Sequence, residues 1–209
     1  MASEPASASS AAPSRETSTI DLLLQRRSVK PQTMVAPGPT PAQLETILTA
    51  AARVPDHKKL APWRFVVFEG DARGKFGDVI AAALIADDAR TGRGPASPVR
   101  LDTERRRLSH APTVVAVISR VVETPGAPEW EQVLSCGAAC FNMCIAANAL
   151  GFGTCWLTEW YSYNADVTAA LGCATNERLA GFVHIGTATD HPADRDRPAL
   201  ASIVTRWGG

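Results

Sequence analysis

Short, nearly continuous apolar runs alternate along this chain with longer stretches in which apolar residues return every three or four positions. The first pattern predicts buried strands and the second amphipathic helices. Ser18-Thr19-Ile20-Asp21 reads as a capping box, with Ser18 capping and Asp21 reaching back, and Leu22, Leu23 and Leu24 follow it. Arg26-Arg27 closes that helix, and Pro31 cannot continue it. Thr40-Pro41-Ala42-Gln43 is a stronger start: an N-cap, proline at the first helical position and Gln at the third. Leu44, Ile47, Leu48 and Ala51 then share one face, and Pro55 ends the helix. Arg53 and His57 therefore fall at its exit and in the following loop.

Phe65–Phe68 and Val114–Ile118 are the clearest strands, the second announced by Pro112. Between them, Ala72–Ala86 carries Phe76, Val79, Ile80 and Leu84 at helical spacing. Asp87–Val99, with Gly92, Gly94, Pro95 and Pro98, reads as a mobile loop, and Leu101–Leu108 as a short helix. Glu129–Leu150 is the long helix. Gly151-Phe152-Gly153 turns from it into a strand at Cys155-Trp156-Leu157-Thr158. A short helix at Asn164–Leu171 ends on Gly172, and Leu179–Gly186 is the last strand. Mixed helices and strands predict an α+β or α/β layer around one sheet. Met1–Ser18 is Ala/Ser/Pro-rich and reads as a disordered tail, leaving 19–209 as the folded domain.

Lys plus Arg equals Asp plus Glu at 21 each, so no global basic field exists to bind nucleic acid through phosphates. Val133–Leu150 carries no charge, but it is short and holds Ser135, Asn142 and Asn148, which points to a buried helix rather than a membrane span. Five cysteines, all in the later half, do not form a secreted disulfide framework, and a reducing cytoplasm is the simpler setting. Cys136, Cys140 and Cys144 lie along one helix face without a histidine pair. They suit close helix packing better than zinc, so no metal is expected. No G-x-G-x-x-G, P-loop or G-x-S-x-G sequence occurs. Of four histidines, His184 alternates with Val183 and Ile185 in a strand and His110 precedes a proline. His57 alone sits among charged residues. An Arg-Arg pair at a helix C-terminus is by itself an ordinary solvated end.

In order along the chain stand Arg26-Arg27-Ser28, then Arg53-x-Pro55-Asp56-His57-Lys58, Pro62-Trp63-Arg64-Phe65 and Trp130-Glu131-Gln132. Gly151-Phe152-Gly153 with Trp156, Gly181–Gly186 and Arg197-Pro198 complete the series. This ordered set resembles the FMN-dependent nitroreductase family, in its short single-domain members, from about Ile20 to Trp207. The resemblance implies a mostly antiparallel central sheet flanked by helices, in an intertwined homodimer with two FMN sites at the subunit interface. It implies that Arg26, Arg27 and Ser28 hold the FMN phosphate and ribityl chain, and that Arg53 and His57 reach the flavin from the other subunit. Trp156, Leu157 and Thr158 match the strand beside the flavin, Ala146–Gly151 a segment linked to nicotinamide binding, and Arg197 a C-terminal phosphate contact. The implied activity carries reducing equivalents from NADH or NADPH through FMN to a small acceptor such as a nitroaromatic or quinone. No side-chain nucleophile is needed. The alternative is a flavin-binding protein for storage, sensing or flavin remodelling. Many relatives place Ser and Asn where this chain has Pro55-Asp56-His57-Lys58, and Gln where it has Ala61.

Overall fold

The computed structural model describes residues 18–208, so the expected tail lies, except for Ser18, outside the described residues. Five strands form one sheet: β1 (Met34–Val35), β2 (Trp63–Glu69), β3 (Thr113–Arg120), β4 (Gly153–Leu157) and β5 (Glu177–Ala188). All pairings are antiparallel. β3 lies between β2 and β5, and β5 also pairs with β4 and, through Thr187 and Ala188 at its end, with β1. The helices are α1 (Thr19–Gln25), α2 (Pro41–Ala51), α3 (Ala72–Arg90), α4 (Pro98–Arg105), α5 (Glu129–Ala149) and α6 (Ala165–Ala170).

Strand alternation sorts the core into two layers. On one face Val114, Ala116, Ile118 and Phe182 meet Phe76, Ile80 and Ala83 of α3 and Val167 of α6. On the other, Val115, Val117, Val183 and Ile185 meet Leu44, Ile47 and Ala51 of α2 and a small-residue face of α5. Both faces of β3 are covered, which is why it reads as an unbroken apolar run. The α5 face includes Cys136, Cys140, Met143, Cys144 and Ala147, so the four-residue cysteine spacing is a packing pattern. Burial pushes the Cys144 thiol up to about 11, which keeps it protonated and unreactive. α5 is long and apolar enough to cross a membrane by composition, but here it is the central helix on the sheet.

The predicted starts hold in detail. Thr40 accepts from the Gln43 amide at 3.3 Å while the Gln43 side chain accepts from the Thr40 amide at 2.9 Å. Ser18 accepts from the Asp21 amide at 3.1 Å. Two expectations are corrected. The loop expected at 87–99 is helical to Arg90 and again from Pro98. Its Asp88 is buried, where Arg100 donates to it at 2.9 Å, so the polar residues read as loop are helix-pairing residues. The fourth strand stops at Leu157, and Thr158 stands exposed beyond it.

His184 faces the α3 layer, between Val114 and Cys155 in register. It is fully buried, and neither ring nitrogen has a partner among the described residues. Desolvation lowers it from 6.5 to about 4, so the fold favours the neutral ring. The unfolded chain takes up that proton near 6.5. The stabilisation is therefore complete above 6.5 and is lost as pH falls toward 4. The loss amounts to about 3 kcal/mol by linkage. Urea titrations of His184→Leu at several pH values should show a shallower acid loss than wild type. Equal slopes would contradict this.

Candidate functional site

α1 ends where Arg26 leaves helical geometry, its amide still donating to Leu22. The next three residues run along the free side of β4. The Val29 amide donates to the Thr154 carbonyl at 2.9 Å, and Ser28 bridges Thr154 in parallel. This tether fixes Arg26 and Arg27 at the rim of a cleft of about 310 Å³ lined also by Gln25, Asn148, Gly151, Phe152 and His191. Gly151 closes α5 at φ 88°, a left-handed turn that suits glycine. Asn148 donates to the Phe152 carbonyl at 2.8 Å and to Thr154 at 3.1 Å, setting the floor of the cleft.

The two guanidiniums are differently held. Arg26 lies over the Phe141 ring, 5.9 Å from its centroid, a cation–π contact that leaves its N–H groups free for another partner. Arg27 is mostly buried, with Nη1 3.8 Å from the exposed Asp194. That Nη1 is shielded from water and has no hydrogen-bond partner among the described residues. A buried cationic donor without an acceptor is costly, and a phosphate oxygen would satisfy it bidentately. The residues present therefore fit the phosphate end of FMN.

Trp156 is 40% exposed and is aimed by its indole, which donates to the Ala180 carbonyl at 3.0 Å. Leu157 is half-buried. Gly181 makes this possible. Its φ is 142°, and a Cβ there would lie 2.5 Å from the Trp156 Nε1 and 2.7 Å from the Leu157 carbonyl.

The second group lies elsewhere. Pro55–Ala61 contains three non-glycine residues at positive φ: Lys58, Lys59 and Ala61. Asp56 holds the turn, its two carboxylate oxygens accepting from the Leu60 and Ala61 amides at 2.9 Å each. α5 fastens the loop with a row of polar side chains. Asn142 donates to the Ala50 and Arg53 carbonyls at 3.2 and 3.3 Å. Ser135 donates to the Pro55 carbonyl at 2.6 Å, and Glu131 meets His57 Nδ1 at 2.7 Å. Arg53 is exposed.

Within one protomer His57 stands far from the cleft, whereas the Arg53 carbonyl accepts from Asn142, next to the Phe141 that carries Arg26. His57 sits at Glu131, and the Arg26–Arg27 cleft sits at Asn148, seventeen residues further along α5. At about 1.5 Å per residue the separation is about 25 Å. Arg197 is exposed, contacts only the Arg195 carbonyl among the described residues, and does not line the cleft, although His191 and Pro192 of the same tail do. Arg64 of the Pro-Trp-Arg-Phe piece is structural, donating to Glu177 at 2.7 and 2.8 Å across the sheet end. Gln25 and His191 escaped the sequence reading, since isolated polar residues carry no spacing signal, while Asn148 falls in the Ala146–Gly151 segment that the resemblance singled out.

The sequence profile of the Nitroreductase family matches residues 23–187. The "Putative NAD(P)H nitroreductase YdjA" of Escherichia coli (strain K12) is 35% identical over 171 residues, covering 80% of this chain and 87% of that protein. A relative of the same description from Haemophilus influenzae is 34% identical over 169 residues, covering 80% and 87%. Among solved structures, a nitroreductase-like protein from Bacillus cereus superposes with TM-score 0.77 at 22% identity, covering 95% of this chain and 100% of that one. A Desulfovibrio desulfuricans protein solved in complex with FMN superposes with TM-score 0.68 at 22% identity, covering 92% and 98%. With the ordered motifs on an antiparallel sheet flanked by helices, these matches show that the chain belongs to the Nitroreductase family.

Proposed function

We propose that this protein is a homodimeric, FMN-dependent oxidoreductase that takes reducing equivalents from NADH or NADPH. It passes them to a small acceptor such as a nitroaromatic or quinone, the two substrates using the site in turn. The observation that carries the reading is the shielded Arg27 Nη1, without a hydrogen-bond partner among the described residues, beside a tethered Ser28 and Arg26. These three residues would hold the phosphate and ribityl chain, with Trp156, Leu157 and Thr158 alongside the ring system. FMN, when bound, supplies the two-electron exchange. The chain's own work is binding, orientation and charge. A guanidinium near the flavin pyrimidine favours the reduced, anionic state.

Dimerisation is supported by two observations. His57, held at Glu131, lies about 25 Å along α5 from Asn148 of the cleft in its own protomer, so a second subunit is the simple way to bring it there. Large apolar side chains stand exposed on α5, at Trp130, Leu134 and Phe141, and on α1, at Ile20 and Leu24. Monomers rarely leave such surfaces open. Arg197, exposed on the C-terminal tail, is assigned to a phosphate contact completed on assembly.

Purified protein incubated with FMN should retain the yellow cofactor through gel filtration, and NADH or NADPH should bleach it under anaerobic conditions. Colourless protein would overturn the reading. Yellow protein that no nicotinamide bleaches would mark a flavin-binding protein without turnover.

A further inference from the structure

His57 is joined to Glu131 by a 2.7 Å contact through Nδ1 only. Its Nε2 makes no hydrogen bond among the described residues, and the ring lines a cleft of about 380 Å³ with Pro55, Leu134 and Ala138. A carboxylate accepts and cannot donate, so Nδ1 carries the proton at this contact. The ring is thereby held in one orientation, with Nε2 directed away from its anchor. The other charged groups around it are engaged elsewhere or lie on its own loop. Asp56 accepts from the Leu60 and Ala61 amides, Lys58 donates to the Pro125 carbonyl, and Lys59 and Arg53 are exposed. Glu131 is thus the carboxylate that sets this histidine, and α5 also fixes its loop through Ser135 and Asn142.

Reduction of a quinone to a hydroquinone, or of a nitro to a nitroso group with loss of water, consumes one hydride equivalent and one proton. NAD(P)H supplies the first and leaves as NAD(P)⁺. The proton must come from an acid, and a positioned side chain accelerates such a transfer by about 10²–10⁴-fold. We propose that His57 is that acid and that Glu131 is its positioning residue, the apolar walls of the cleft receiving the acceptor's ring. The Nε2–H bond breaks as the acceptor O–H bond forms. The imidazole is left neutral with its proton on Nδ1, and water restores the lost proton. This rests on the reading that His57 reaches the flavin site.

Two measurements test it. In protein labelled with ¹⁵N-histidine, without FMN, ring spectra assigned by the signals missing in His57→Gln should show neutral His57 protonated on Nδ1. In Glu131→Ala the population should move toward the Nε2–H form. A wild-type His57 protonated on Nε2 would overturn the role of Glu131. In anaerobic stopped flow, enzyme reduced beforehand with dithionite should be reoxidised by a benzoquinone at least about 10²-fold more slowly in His57→Ala than in wild type. Imidazole in the buffer should restore part of the rate. Reduced wild type that reoxidises no faster than His57→Ala would overturn the proposal while leaving the flavoenzyme reading intact. Protein that binds no FMN would overturn that reading itself, and the ring spectra would still judge the His57–Glu131 pair.

Discussion

Replacing Arg26 and Arg27 together by alanine will raise the FMN dissociation constant by at least about 100-fold. Each charged hydrogen bond to a phosphate contributes about 1.5–3 kcal/mol, and each tenfold step in affinity is about 1.4 kcal/mol. The structure separates this loss from unfolding. Among the described residues Arg27 Nη1 pairs with Asp194, at 3.8 Å, and Arg26 lies over the Phe141 ring. The double variant should therefore change folding stability by about 1 kcal/mol or less, since exposed ion pairs and cation–π contacts contribute little. Fluorescence titration of FMN against the variant and wild type, beside urea denaturation of both, gives the comparison. An unchanged dissociation constant would mean that the basic pair is only a solvated helix end.

The second large effect falls on Gly181. Its replacement by alanine forces a side chain onto φ 142° and places Cβ 2.5 Å from the Trp156 indole nitrogen. Strain of this kind costs about 1–3 kcal/mol, and overpacking costs a similar amount. The variant should lose about 2–5 kcal/mol in denaturant titration, and its Trp156 emission should change because the indole can no longer hold its bond to Ala180. A variant within 0.5 kcal/mol of wild type, on the scale of ordinary surface substitutions, would contradict the close packing described.

The capping signals at Thr40 and Ser18 and the apolar strand at Val114–Ile118 were legible because they are local: a few adjacent residues dictate the geometry. β1 was not, since Met34–Val35 are strand residues only through pairing with Thr187 and Ala188. The extension of α3 past Asp87 depends on Arg100, twelve residues beyond Asp88, a distance at which no periodicity warns of burial. In the site, the resemblance supplied Arg27, Arg53 and His57 as positions. It could not show that Arg27 Nη1 lacks a hydrogen-bond partner among the described residues, that Glu131 sets His57, or that α5 holds His57 apart from the cleft. Those are properties of tertiary contact.

Sharing of each FMN site between two subunits is testable in one measurement. If each FMN site takes Arg27 from one subunit and Arg53 from the other, a heterodimer can rescue what either variant loses. Differently tagged Arg27→Ala and Arg53→Ala chains, co-expressed and purified as the mixed dimer, would combine both defects in one site and leave the other wild type. The account predicts one FMN per mixed dimer at wild-type affinity, while each variant homodimer binds weakly at both sites. A mixed dimer with two equally weakened sites would show that Arg27 and Arg53 serve the same subunit, and would contradict it.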